Sequence, residues 1–120
     1  PFLGRPVRAA AGVVYLTRER PPAEVRRIAA AFAGGRAKLS GLIVTSDDSL
    51  VRRRRGRADL QRYLEALDGP AVVFVDPLSL VLPPGGGNDL AEAGKRLRRL
   101  VRPVAEAGGT PVLVHHTVRS

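Results

Sequence analysis

Four carboxylates and two imidazoles stand directly behind short apolar runs of this chain. Glu19 follows GVVYL (Gly12–Leu16), Asp47 and Asp48 follow GLIVT (Gly41–Thr45), Asp76 ends AVVFVD (Ala71–Asp76), and His115 and His116 end PVLVHH (Pro111–His116). An aspartate that closes an apolar strand can hold a water of a Mg²⁺ shell beside bound phosphates. A glutamate placed near it can polarise an attacking water. Taken alone, Glu19 reads as a solvated loop carboxylate paired with Arg18 or Arg20. The two histidines are consecutive, so at a strand end one points to each side. That spacing disfavours a shared metal and suits one histidine to hydrogen bonding and the other to packing.

The elements that must position these groups follow from hydrophobic periodicity. The four runs are continuous and valine-rich rather than alternating, which is how parallel strands read when helices cover both faces of their sheet. Val25, Ile28, Ala29 and Phe32 repeat at helical spacing, with Pro22 suited to the first turn and Gly34-Gly35 to the stop. Leu60, Tyr63, Leu64 and Leu67 form a second helical stripe, ended by Gly69-Pro70. Leu90, Ala93, Leu97, Leu100, Val101 and Val104 form a third, with Asn88 or Asp89 as cap and Gly108-Gly109 as stop. Pro103 is expected to kink or shorten its last turn. Strand and helix alternate, so the fold class is α/β, three layers α/β/α around a mostly parallel sheet. Ser46–Arg57 and Pro77–Gly87 read as loops, the second long enough to be functional, with Leu80, Val81 and Leu82 exposed. In such sheets ligands bind at the carboxyl ends of the strands, where the six groups lie.

Composition narrows the classes. With 120 residues, 44% hydrophobic and 26% charged, the chain has the make-up of one soluble globular domain. Cysteine is absent, which excludes disulfides and thiolate metal sites. No apolar run approaches the roughly 20 residues that cross a bilayer, and no signal-peptide pattern opens the chain; a cytoplasmic protein without membrane contact is expected. Methionine is absent even at position 1, which leads to the expectation of a piece of something longer. The net charge of +9, almost all arginine, suits a polyanionic partner. The run Arg52, Arg53, Arg54, Arg55, with Arg57, could grip a nucleic-acid backbone or be a solvated, disordered connection. No aromatics are interleaved with it, so base stacking is poorly supported.

Asp76 lacks its obvious partner. A phosphate loop, G-x-x-x-x-G-K-[ST], is not present. The segment AGKRL fails because Arg96 replaces the hydroxyl residue and Asp89 the first glycine, and it lies within a helical stripe.

The order PFLGRPV, GVVYLTRERPPAEVRRIAA, AVVFVDPLSLV, NDLAEAGKRLRRLVRPVAEAGGTPVLVHHT resembles the core of RepA-like ATPases, RecA-fold P-loop proteins that include hexameric replicative helicases of mobile elements. The likeness covers nearly the whole chain, Arg36–Arg57 least. It implies that residues 1–120 are a partial RecA-like ATPase domain, starting after the Walker A helix and ending after the H-H-T strand. It also implies ATP and Mg²⁺ as cofactors, coupling to DNA, and a homo-oligomer, a hexamer by family. Glu19 then matches the activator of the attacking water in a Y-L-x-x-E-D segment, with Arg20 in place of the acidic neighbour. Asp76 matches the Walker B aspartate that holds Mg²⁺ through water. Asn88 and Asp89 match the polar start of the next helix. His115, His116 and Thr117 match the H-H-T strand end that senses the γ-phosphate, and Arg119 the cation that follows it. The Pro77–Gly87 segment matches a channel-facing loop. An isolated chain of this kind is expected to be inactive for lack of the phosphate loop. The alternative is a basic α/β module, a degenerate relative that binds nucleic acid without catalysis. A third possibility, a metal-dependent nucleic-acid enzyme of the Toprim kind using Glu19 with Asp47 and Asp48, is weakened by spacing: adjacent aspartates point apart.

Overall fold

The computed structural model describes residues 3–5, 10–35, 40–82 and 89–116. Four strands form one parallel sheet: β1 (Gly12–Thr17), β2 (Leu42–Thr45), β3 (Ala71–Asp76) and β4 (Gly109–Leu113). Their spatial order is β2-β1-β3-β4, with Thr17 opposite Asp76 and Val75 opposite Leu113. Helix α1 (Pro22–Ala33) links β1 to β2. The short α2 (Ser49–Arg52) and α3 (Arg54–Ala66) lead to β3, and α4 (Leu90–Glu106) leads to β4. The first crossover steps one way across the sheet and the other two step back, so right-handed connections put α1 on one face and α3 and α4 on the other. This is the expected three-layer α/β architecture, of the RecA-like type.

The core lies on the α3/α4 face. Val14 and Leu16 of β1 and Val73 and Val75 of β3 alternate inward and meet Leu60 and Leu64 of α3 and Leu100 and Val104 of α4. Val75 is completely buried. Gly56 lets α3 approach α2 closely, because a Cβ there would collide with the Ser49 carbonyl.

Helix termini form where expected. Gly34 closes α1 in the left-handed region at φ 81°, its N–H donating to the Ala30 carbonyl. Asp89 caps α4, accepting a hydrogen bond from the Glu92 N–H at 3.1 Å. The alternative cap, Asn88, lies outside the described residues.

Several expectations are corrected. Ser46–Arg57 is not a loop: Arg52 ends α2, and Arg54, Arg55 and Arg57 sit in the first turns of α3. No glycine or proline breaks this stretch before Gly56, and Val51 is pulled into the core. Of the Pro77–Gly87 segment, residues 77–82 are not an exposed loop, and residues 83–87 lie outside the described residues. Leu78–Leu80 form a 3-10 turn, and Leu80 and Val81 are buried beneath it. Pro103 does not shorten α4, which runs on to Glu106, with the Ala107 N–H donating to the Pro103 carbonyl at 3.0 Å. The last strand begins at Gly109 and ends at Leu113, so His115 and His116 lie past it. Its partner β3 stops at Asp76, and Pro77 has no N–H to continue the ladder. Finally, α1 forms but buries none of its residues; Ile28 is partly and Phe32 almost fully exposed.

Candidate functional site

The strand order reverses between β1 and β3, since the chain leaves β1 towards one edge and β3 towards the other. Such a switch point opens a crevice at the carboxyl ends of the strands. Glu19 follows β1 and Asp76 ends β3, so the two carboxylates flank this crevice. The Arg18 N–H donates to the Asp76 carbonyl at 3.1 Å, which ties the two strand ends together.

Beyond β1 the chain turns through Thr17, fully buried, whose Oγ1 accepts from the Glu19 N–H at 3.1 Å. This hydroxyl turn fixes where the Glu19 side chain leaves the backbone. Asp76 is held from the β1 side. The Tyr15 hydroxyl donates to Asp76 Oδ2 at 3.1 Å, and the Tyr15 ring stacks on Phe74 with centroids 5.4 Å apart. One carboxylate oxygen is therefore engaged by the phenol while Oδ1 faces the crevice. Burial first, then the hydrogen bond to Asp76 and its charge, push the Tyr15 phenol above its usual pKa.

His116 completes the group. Its Nε2 lies 3.4 Å from Asp76 Oδ1 and 3.4 Å from Glu19 Oε1. Each of the three offers a ligand atom within 4.8 Å of the others, with Asp76 the least exposed. Two hard carboxylate oxygens suit a Mg²⁺ that keeps most of its waters. The imidazole is a poor direct Mg²⁺ ligand and fits better as a hydrogen-bond partner to such a water. By the chemistry of its donors, the cluster fits a hydrated divalent cation.

Of the groups expected at strand ends, the fold brings together Glu19, Asp76 and His116. It leaves the others apart. His115 is exposed and makes no hydrogen bond or ion pair among the described residues. Thr117 and Arg119 lie outside the described residues. Asp48 pairs with Arg18 at 3.0 Å and Arg52 at 3.5 Å. Asp47 accepts from the Ser49 N–H at 3.1 Å, and the Ser49 hydroxyl first, then this N–H, pull its carboxyl below the usual range. Neither aspartate joins the Glu19 cluster among the described residues, which removes the support for a Toprim-like site. Glu19 is paired with neither arginine beside it, since Arg18 goes to Asp48 and Arg20 to Glu24 at 3.0 Å.

Tyr15 and Thr17, which hold Asp76 and Glu19, are neighbours of the cluster that the strand-end reading passes over. For Thr17 a signal exists: a threonine two residues before an acidic residue recurs as T-R-E after β1 and T-S-D after β2. In both, the hydroxyl accepts from the acidic residue's N–H. For Tyr15 no local signal exists, because its partner is 61 residues away.

Compared with known proteins, the chain matches no curated protein and no solved structure. A family model described as an AAA domain matches residues 1–120 throughout. Together with the parallel sheet and the paired strand-end carboxylates, that match means that the chain belongs to the AAA domain family, an ATPase-type P-loop domain.

Proposed function

We propose that this protein hydrolyses ATP through Glu19 and Asp76, as part of a RepA-like motor domain coupled to DNA. The observation that carries the reading is the meeting of Glu19, Asp76 and His116 at the β1/β3 switch point, three residues from three separate strand ends.

Asp76, braced by Tyr15, is the group that would hold a hydrated Mg²⁺; when bound, the ion neutralises phosphate charge. Glu19 is half exposed at the mouth of the crevice, where its carboxylate can orient a water and accept its proton. His116 spans the two carboxylates and is placed to report on changes at either one. Beside Glu19 runs a concavity of about 380 Å³ lined by Thr17, Arg18, Arg20, Pro22 and Ser46. Phosphate cradling is supplied by none of these residues, so the reading requires a phosphate loop that the 120 residues do not contain. DNA coupling is supported by the RepA-like resemblance and the net charge of +9, and a hexameric assembly by that resemblance alone.

The test is Glu19→Gln in the full-length protein. ATP turnover is expected to fall by at least about 100-fold, the scale of a lost general base, with nucleotide binding retained. Turnover at the unsubstituted rate would remove Glu19 from the chemistry and the reading with it.

A further inference from the structure

The arginine run that reads as a loop in the sequence gains a partner in the fold. Arg54 and Arg57 at the start of α3 face Lys95, Arg98, Arg99 and Arg102 of α4 across a groove of about 710 Å³. The α4 cations are spaced i, i+3, i+4 and i+7, one helical face about 10 Å long. Among the described residues no carboxylate lies within salt-bridge distance of Arg54, Arg57, Lys95, Arg98 or Arg99. Arg102 pairs with Glu106 at 3.1 Å. Arg18, Arg20, Arg52, Arg62 and Arg96 each have an acidic partner. Among the described residues Arg26, Arg27, Arg53 and Arg55 have none, but they do not line the groove, so what sets the groove apart is that its cations gather across one concavity. The crowding is felt locally: burial, then the Arg99 and Arg54 charges, push the Arg57 guanidinium below its usual pKa.

We infer that the α3/α4 groove binds the phosphate backbone of nucleic acid, independently of base sequence. Unpaired like charges on two packed helices repel one another, and a polyanion laid between them turns that repulsion into attraction. Guanidinium groups match phosphate geometry through paired hydrogen bonds. Among the described residues Pro103 is the one apolar residue lining the groove, which therefore does not show the apolar face with which a helix enters a lipid interface. It also lacks aromatic rings, so backbone contact rather than base stacking is the available mode. The inference deepens the DNA-coupled reading above and rests on it.

The experiment is fluorescence anisotropy of a labelled DNA duplex with the full-length protein, without nucleotide, across a range of salt. In R98Q/R99Q, affinity at about 0.1 M salt is expected to fall roughly tenfold or more. The slope of log K against log salt should shrink by about 1.8, the value for two lost phosphate contacts. R98K/R99K should restore most of the slope. R26Q/R27Q, which removes the same charge from exposed positions of α1, should change affinity less than about twofold. Equal losses in R98Q/R99Q and R26Q/R27Q would overturn the groove in favour of a diffuse field. So would unaltered binding in R98Q/R99Q, which would leave DNA coupling itself standing. Wild-type binding to phosphatidylserine vesicles but not to DNA would overturn both. ATP turnover, assayed separately without DNA, should survive R98Q/R99Q, and DNA binding should survive Glu19→Gln. Failure of the Glu19 test therefore leaves the groove intact.

Discussion

The two faces of the sheet are finished differently. On the α3/α4 face, Val14, Leu16, Val73 and Val75 are each at most 3% exposed, and two long helices close over them. On the other face, Val13, Tyr15, Val72 and Phe74 are only half-buried, and α1 contributes no buried side chain. Both faces come from the same valine-rich strands, so strand composition does not decide which one is sealed. The helix that packs against it does: α3 and α4 offer leucines and a valine at helical spacing, whereas α1 turns Phe32 outward. The candidate site belongs to the open face. Asp76, Tyr15 and Phe74 alternate onto it, and among the described residues its fully buried polar group is Thr17. Tight packing and the candidate site are thus divided between the faces. The sealed face holds the sheet rigid, and the open face presents the carboxylates.

Three substitutions sharpen or break that contrast. The largest effect is expected for Leu64→Ala, on the sealed face. The side chain is 2% exposed and sits at the centre of the cluster. Denaturant unfolding should show a loss of about 2–5 kcal/mol, transfer and cavity costs together. A loss under about 1 kcal/mol would mean that the α3/α4 side is no better packed than the other.

Tyr15→Phe, on the open face, keeps the ring and its stacking on Phe74 but removes the hydroxyl that braces Asp76. A cost of about 1 kcal/mol is expected, the size of one partly exposed hydrogen bond. The pH dependence distinguishes this from a packing effect. The Tyr15 pKa is raised in the fold, so its contribution is fully present below the unfolded value near 10 and is lost as pH rises through the folded value. Unfolding measured at pH 8 and above pH 10 should show wild type and Tyr15→Phe converging at the higher pH. Parallel curves would separate Tyr15 from Asp76.

The smallest effect is expected for Phe32→Ser. At 90% exposure the ring buries little, and stability should move by less than about 0.5 kcal/mol in thermal unfolding. A loss above about 2 kcal/mol would show that α1 seals its face after all and would end the contrast.

Much of this arrangement could be read in advance. Continuous apolar runs and helical stripes carry their signals within a dozen residues, so strand and helix order, the Gly34 stop and the Asp89 cap were legible. The arginine run reads as a loop because before Leu60 only Val51 of α2 and Gly56 of α3 are buried, too few residues to mark a helical stripe. Pro77–Leu82 was misread for a related reason: Leu80 and Val81 look exposed until the sheet supplies something to cover. The basic groove was half legible, since Lys95, Arg98, Arg99 and Arg102 lie some 40 residues from the arginine run and join it only when α3 and α4 pack.

What the sequence by itself determined is the set of local elements and the presence of a polar group behind each strand, because backbone propensity and hydrophobic period act over neighbouring residues. Only the tertiary structure decided which of those polar groups meet. Glu19, Asp76 and His116 converge because β3 lies between β1 and β4 and carries Asp76 between the other two, whereas Asp47 and Asp48 follow β2, on the far side of β1 from β3. Strand order is set by long-range pairing and by which helices cover which face, and no local pattern encodes it.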